Sequence, residues 1–408
     1  MKLLPLCLLL LLQQSKTETK SIEWTQFRGP TRNAHAGDTG LLKEWPSSGP
    51  PLAWKATGIG IGFSSVCVSK GKVYTLGEDG GKANLLALND ADGKILWKLP
   101  IGGAVTDAQG GPGPRSTPAT DGNVVVAVAP TGEIVCVQAA TGRLLWQKHM
   151  ERDFGASRPG FHFVESPLID GPLVLMSPGG TVVALNKANG ATVWKSKKLK
   201  GSTDYSSLSI AEMGKLKQYL VMTAASVAGL HAQSGAILWE GDFPGDRAVV
   251  PTPVFADGIV FVAAGYGVGA KGFRIALAGN QMRMQEAYAV KEFQIHHGGM
   301  LLVDGHVYGL ADQGTARCVK LATGEVVWNE RSVGKGAVIY ADGHIIGRSE
   351  QGGVAMFEAS PAGYKEKGRF TPPETNGGKC WAHPAVSGGK LYLREQGSLF
   401  VYDLRVKP

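Results

Sequence analysis

Five Gly–x–x–x–Trp motifs at near-constant spacing, a small glycine turn about twenty residues ahead of each, and 57 glycines set among apolar, β-branched runs predict an all-β fold. The expected architecture is an eight-bladed β-propeller of four-stranded antiparallel blades, its ring closed by an N-terminal strand that completes the last blade.

The motifs are ADGKILW, ATGRLLW, ANGATVW, QSGAILW and ATGEVVW, ending at Trp97, Trp146, Trp194, Trp239 and Trp328. Successive spacings are 49, 48, 45 and 89 residues, the last wide enough for one degenerate copy. That copy is FRIALAGNQMRMQEAY, with Tyr288 in the Trp place, and FEASPAGYKEK is a later one. Trp54, in PLAWKA, precedes Trp97 by 43 residues. Ahead of the motifs lie SKGKVYTL, TDGNVVVAV, IDGPLVLM, MGKLKQYLVM, ADGIVFVA, VDGHVYGL, ADGHIIGR and SGGKLYLR, which count eight units.

Each unit reads as apolar runs joined at glycine turns. Gly supplies the positive φ of a tight hairpin turn, and the preceding Asp, Thr or Asn bonds the turn backbone. The run after it ends in an indole large enough to fill the space between two sheets. Trp54, Trp97, Trp146, Trp194, Trp239 and Trp328 are therefore expected to lock blade to blade. A solenoid is the rival arrangement, but the ends lack capping repeats.

The last unit supplies only KLYLRE and SLFVYDL, so PLAWKA is expected to provide its outer strand and remove the open edge. The propeller should run from Pro51 to Leu404, after an irregular lead-in over residues 22–50 that lies across it. Residues 1–15 read as an export signal: Lys2, then an apolar run from Leu3 to Leu12, shorter than the roughly 20 residues of a membrane span. Export to the periplasm or the exterior is expected, with an uncleaved anchor as the rival. Cys7 stands early in the signal; Cys67, Cys136, Cys318 and Cys380 match no metal spacing and read as buried thiols. The net charge of +8 is dispersed, its densest cluster being Lys195–Lys200. Without a basic stripe interleaved with aromatics, nucleic acid is not an expected partner. The expected partners are a protein, a glycan or a small polar ligand, and the expected state is a monomer.

The A-x-x-G-x-x-x-W repeat resembles that of quinoprotein-type propellers, among them the pyrroloquinoline quinone dehydrogenases and the propeller lipoprotein of the outer-membrane barrel-assembly machinery. It is most similar to exported bacterial PQQ-binding-like repeat proteins, over essentially the whole mature chain. WTQFRGPTRN, GPGPRSTPATDG, YSSLSIAE, HHGGMLLVDG and CWAHPAVSGGKLYLRE carry the resemblance. The resemblance implies that the Trp motif locks blades and is not a cofactor site. The quinone enzymes hold their cofactor between a Trp and a disulfide of adjacent cysteines, with Ca²⁺ on Glu, Asn and Asp. This sequence has no adjacent cysteines. Quinone with calcium is accordingly a doubtful cofactor, and no other is expected.

Functional residues are sought where the repeats stop resembling one another. Aligned on the small-residue–Pro step before each innermost strand, the units give Phe63, Arg115, Glu165, Tyr205, Thr252, His296 with His297, Lys335, and Trp381 with His383. A ring brings equivalent positions to one mouth of its channel. Three uses compete there: capping channel water, holding a small polar or sugar-like ligand with Arg and Lys on anionic groups and Trp and Tyr on flat faces, and a metal or catalytic site on the histidines with Glu165. Adjacent His296 and His297 both reach one site only from an irregular loop, which Gly298 and Gly299 allow. The Gly-rich run at 265–272 reads as a long hairpin rather than a phosphate cradle. The reading is a binding or scaffold module with its site at the channel mouth. The alternative is an atypical quinone-dependent dehydrogenase. A hydrolase is more distant, because neither a Gly-x-Ser-x-Gly elbow nor a paired-carboxylate motif is present.

Overall fold

The computed structural model describes residues 23–106, 110–203, 205–278, 281–374 and 379–406. The expected signal at residues 1–15, with Cys7, lies outside the described residues.

The fold is all-β, built from antiparallel sheets in which consecutive strands are neighbours. Cys67–Ser69, Lys72–Asp79, Lys82–Asn89 and Ile95–Gly103 form the first such meander. Four-stranded sheets follow over residues 119–149, 168–195, 209–242 and 254–290. An eight-stranded sheet over 300–370 consists of two four-stranded meanders joined by the single pair Leu310↔Gly336. Ala385–Ser387, Lys390–Glu395 and Ser398–Asp403 make a sheet whose fourth strand is Leu52–Ala56.

The middle strands are apolar along their length, as in Val124–Val128 and Glu133–Gln138. A sheet covered on both faces needs no polar alternation. Tyr74 and Leu85 of the first sheet share a core with Val125 and Val135 of the next. Val126 and Cys136, on the opposite face of that second sheet, pack with Val174 and Leu185 of the third.

The outermost strands carry the motif and share one irregularity. Ala87 pairs with Trp97 but Leu88 pairs with Ile95, so Leu96 is an extra residue. The same slip occurs beside Trp146, Trp194, Trp239, Tyr288 and Trp328. A bulge of one residue reverses side-chain alternation and tightens the local twist. It leaves Ile95 and Leu96 both exposed and aims the ring of Trp97 at the neighbouring sheet.

Five of these rings land on the glycine of the next motif, whereas Gly363, which follows Trp328, has nothing within 4 Å of its Cβ position. A Cβ at Gly93 would stand 2.6 Å from the ring of Trp54, and one at Gly142 would stand 2.9 Å from that of Trp97. Gly190 stands to Trp146, Gly235 to Trp194 and Gly324 to Tyr288 in the same way. These five glycines hold φ between 69° and 77°, a conformation that penalises any side chain. The indole N–H then donates one sheet on: Trp54 to Asp90 O (3.0 Å), Trp97 to Ala139 O (3.2 Å), Trp146 to Lys187 O (2.8 Å) and Trp328 to Ser360 O (3.0 Å). Trp239 differs. It donates to Gln218 Oε1 of its own sheet at 2.8 Å, because the long hairpin of Gly269–Ala278 and Gln281–Val290 stands where the next motif turn would be.

The four described cysteines are buried free thiols. Burial pushes the thiol pKa up to about 12 at Cys136 and Cys380 and about 11 at Cys318. No helix among the described residues is long and apolar enough to cross a membrane.

The segment ahead of Pro51 crosses the inner strands. Val68 N donates to Trp24 O, Thr120 N to Thr25 O and Ile169 N to Gln26 Oε1. Further on, Ala36 N donates to Tyr340 O, Leu42 N to Leu404 O and Trp45 N to Lys367 O. Arg28 and Arg32 are carried into the interior, 2% and 1% exposed.

Candidate functional site

The innermost strands are short, and the residues just before them meet. Ser65 N donates to Thr117 Oγ1 (3.2 Å), Thr117 N to Ser166 Oγ (2.9 Å) and Ser166 N to Ser207 Oγ (3.0 Å). Small hydroxyl residues at this step thus join four successive sheets, each satisfying a backbone N–H of its neighbour. Above them opens a cavity of about 390 Å³, within the usual size of small-molecule sites.

Eight of the ten residues singled out from the sequence line it: Phe63, Arg115, Tyr205, His296, His297, Lys335, Trp381 and His383. Glu165 does not. It is 6% exposed, accepts a bond from Ser177 N at 2.9 Å and faces Arg32. Burial raises its carboxyl to about 7, against the hydrogen bonds from Ser177 and the charge of Arg32, which lower it. Arg32 in turn donates to Ser166 O at 2.8 Å, so this pair packs beneath the hydroxyl residues. Thr252 is likewise off the cavity; Ala248 and Val250 stand there instead.

The lining has two arcs. One is aromatic: Tyr205 meets Phe161 edge-on at 5.4 Å, and Phe63 lies 5.0 Å from Trp381 with a 33° tilt. The Arg115 guanidinium sits 5.1 Å from the Phe63 centroid and 5.9 Å from that of Phe161, bridging the two pairs. Exposed Lys379 stands 6.0 Å over Trp381 at the rim.

The other arc is polar and centred on Glu350. Its carboxylate lies 3.3 Å from Lys335 Nζ and 3.9 Å from His297 Nδ1, and it accepts the Trp381 indole N–H at 3.4 Å. Lys335 Nζ is also 3.3 Å from His296 Nδ1, whose ring packs against Tyr266 at 4.4 Å. His383 Nε2 contacts His297 O at 3.0 Å and its ring meets Phe27, delivered by the lead-in, at 4.9 Å. Burial lowers all three histidines, His383 to about 4 and His297 well below its ordinary value, with neighbouring cations adding to the effect. They are neutral at pH 7.

Glu350, Phe27, Phe161, Tyr266 and Lys379 were not among the expected residues. Tyr266 lies at a positive-φ turn (57°) of the Gly-rich run, which leads into the long hairpin. Glu350 directly follows the strand His344–Ser349, outside the aligned step.

The residues present do not fit a calcium–quinone centre. Ca²⁺ takes six to eight oxygen ligands. Among the described residues Glu350 is the one carboxylate lining the cavity, and it already faces Lys335 and His297. No group of three His, Cys, Asp or Glu among the described residues is arranged to hold a metal ion. All four described cysteines are free and buried.

Comparison with known proteins agrees with the repeat. The chain is 26% identical to the outer membrane protein assembly factor BamB of Yersinia pestis over 191 residues, 46% of this chain and 45% of that protein. It is 32% identical to the serine/threonine-protein kinase AfsK of Streptomyces griseus over 173 residues, 41% of this chain and 20% of that one. The matched part thus spans less than half the length of these curated relatives. Among solved structures, BamB from Moraxella catarrhalis superposes with a TM-score of 0.60 at 16% identity, covering 88% of this chain and 98% of that one. Quinohemoprotein alcohol dehydrogenase from Comamonas testosteroni gives 0.69 at 12% identity, over 95% and 81%. At these identities the likeness is one of fold. A family model described as outer membrane protein assembly factor BamB matches residues 81–330, more than half of the chain, so the protein belongs to that family of PQQ-like propellers.

Proposed function

We propose that this protein is an exported, non-catalytic binding or scaffold module, a monomeric eight-bladed propeller that holds a ligand or a partner's side chain in the cavity at one mouth of its channel. The observation that carries the reading is the lining itself. Aromatic faces and cations drawn from most of the repeats converge on one small space, whereas the repeats agree with one another elsewhere. A pocket with flat apolar walls and a few fixed charges is built to bind.

The eight blades are the eight four-stranded meanders, and Leu52–Ala56 closes the ring by completing the last. Side chains across that junction support closure. Arg394 donates to Thr75 Oγ1, Leu76 O and Gly60 O, each at 2.7 Å. Lys390 pairs with Asp90 at 2.8 Å, and Tyr392 donates to the same carboxylate at 2.6 Å. The propeller would span residues 51–404, after a signal at 1–15 and a lead-in at 22–50. The relatives named for outer membrane assembly suggest the periplasm as the compartment and a protein as one class of partner.

A thermal-shift screen of the wild type and Trp381→Leu tests the reading. It covers quinone with Ca²⁺, Zn²⁺, mono- and oligosaccharides and periplasmic extract fractions. A ligand of the folded state raises the melting temperature, and the shift should vanish in Trp381→Leu. Turnover of alcohols or sugars with added quinone and Ca²⁺ would refute the non-catalytic reading in favour of a dehydrogenase.

A further inference from the structure

We infer that the cavity accepts a carbohydrate acid: one or two pyranose rings bearing a carboxylate, of the hexuronic type. This rests on the cavity being a binding site and adds the chemistry of its ligand.

Three features of the lining select it. The first is the shape of the aromatic arc. Phe63 and Trp381 pack with centroids 5.0 Å apart at a 33° tilt, and Tyr205 meets Phe161 at 84°. A planar aromatic guest is best held between parallel faces. A tilted panel instead matches a puckered ring, which presents axial C–H groups at several angles.

The second is an excess of hydroxyl donors. Thr117 Oγ1, Ser166 Oγ and Ser207 Oγ each accept a backbone N–H, yet among the described residues none of the three hydroxyl protons has an acceptor. Buried donors without acceptors cost free energy unless a guest supplies oxygens. Three donors spaced round the base of a cavity call for an oxygen-rich guest rather than an apolar one.

The third is charge. Lys335 already pairs with Glu350, the one carboxylate among the described lining residues, and Lys379 adds a further cation at the rim, over the Trp381 face. A ring stacked on Trp381 places its equatorial carboxylate beside Lys379 at the rim. Neutral His296 and His297, with Tyr266, remain for hydroxyl groups on the polar side. A volume of about 390 Å³ suits one or two such rings.

Titration calorimetry and tryptophan fluorescence on the full chain test the inference. The probes are galacturonate, glucuronate, their neutral parents galactose and glucose, trigalacturonate and pyrroloquinoline quinone. The expected result is uronate binding at least tenfold tighter than the neutral sugar, weakened by salt and accompanied by a change in indole emission. Trp381→Leu should weaken it about tenfold and Lys379→Ala about threefold, while the remote, half-buried Lys271→Ala leaves it unchanged. Tighter binding of the trimer identifies a polymer end as the source, and equal binding identifies the free acid. Equal affinity for neutral and acidic sugars overturns the inference. So does quinone binding alone with sensitivity to Trp381→Leu, which leaves the cavity reading standing. No binding by any probe here, together with no response in the broader screen, overturns both.

Discussion

Gly190→Ala separates the two demands that the repeat makes on its glycine. Gly190 has φ +71°, where an L side chain is strained by roughly 1 to 2 kcal/mol. Its Cβ would also stand 2.8 Å from Trp146 Cδ2, so the indole must shift against packed neighbours at a further cost of roughly 1 to 3 kcal/mol. The expected loss is therefore about 2 to 5 kcal/mol. Gly155 is the control: φ is +72°, yet nothing lies within 4 Å of its Cβ position. Gly155→Ala should show the strain alone. Shrinking the ring provides the second arm. In a Trp146→Leu background the cost of Gly190→Ala should fall to that of Gly155→Ala, a coupling of about 1 kcal/mol or more. Urea unfolding followed by circular dichroism gives each value, with the slopes compared to confirm a common transition. If Gly190→Ala costs no more than Gly155→Ala, or Trp146→Leu fails to relieve it, the ring-on-glycine joint is not what holds these sheets together.

Other expectations follow from buried titratable groups and thiols. Glu165 has its folded pKa raised to about 7, above its ordinary 4.5, so its contribution is present below 4.5 and is lost as pH rises towards 7. Glu165→Gln should therefore gain stability relative to wild type as pH rises through that window; a flat difference refutes the assignment. His383, lowered to about 4, has the opposite sign: its contribution is present above 6.5 and is lost as pH falls towards 4. His383→Gln should accordingly gain on wild type as pH falls from 6.5, read from paired melting curves. The described thiols should resist iodoacetamide at pH 8 in the native state and react fully in urea, because burial pushes Cys136 and Cys380 up to about 12. Fast native labelling mapped to any of them by peptide mass spectrometry would contradict that burial.

Much of the fold was legible because the repeat writes it several times over. The Gly–x–x–x–Trp spacing gave the sheets, their order and the turn after which each outer strand starts, although the strands run on past the Trp, as in Ile95–Gly103. The bulge beside each Trp was not read, although its signature is plain afterwards: two consecutive apolar residues, such as Ile95–Leu96 and Leu144–Leu145, both exposed. Period-two reasoning expects one of each pair to be buried, and an inserted residue defeats it. At the cavity, aligning on the small-residue–Pro step picked out eight of the residues that line it, since equivalent positions in stacked meanders face a common axis. Glu165 escaped because it packs beneath the hydroxyl residues against Arg32, a partner from an irregular segment with no repeat to align it. Phe27 and Arg28 were unreadable for the same reason: their partners His383 and Met300 lie far away along the chain. Glu350 and Tyr266 sit on turns rather than at the aligned step, where only tertiary structure fixes direction.

The joint between sheets has a modular consequence. Within five residues each motif carries a socket, the bare α-carbon of its glycine, and a plug, the indole that reaches the next socket. Any segment one period long therefore carries one of each, wherever it is cut. Duplicating or deleting such a segment preserves every junction on either side, so the number of units is free to change without redesigning an interface. Plug and socket are out of step at the long hairpin after Trp239 and again after Trp328, where Gly363 meets no ring. At the hairpin a fresh copy could not be inserted without first restoring the glycine turn.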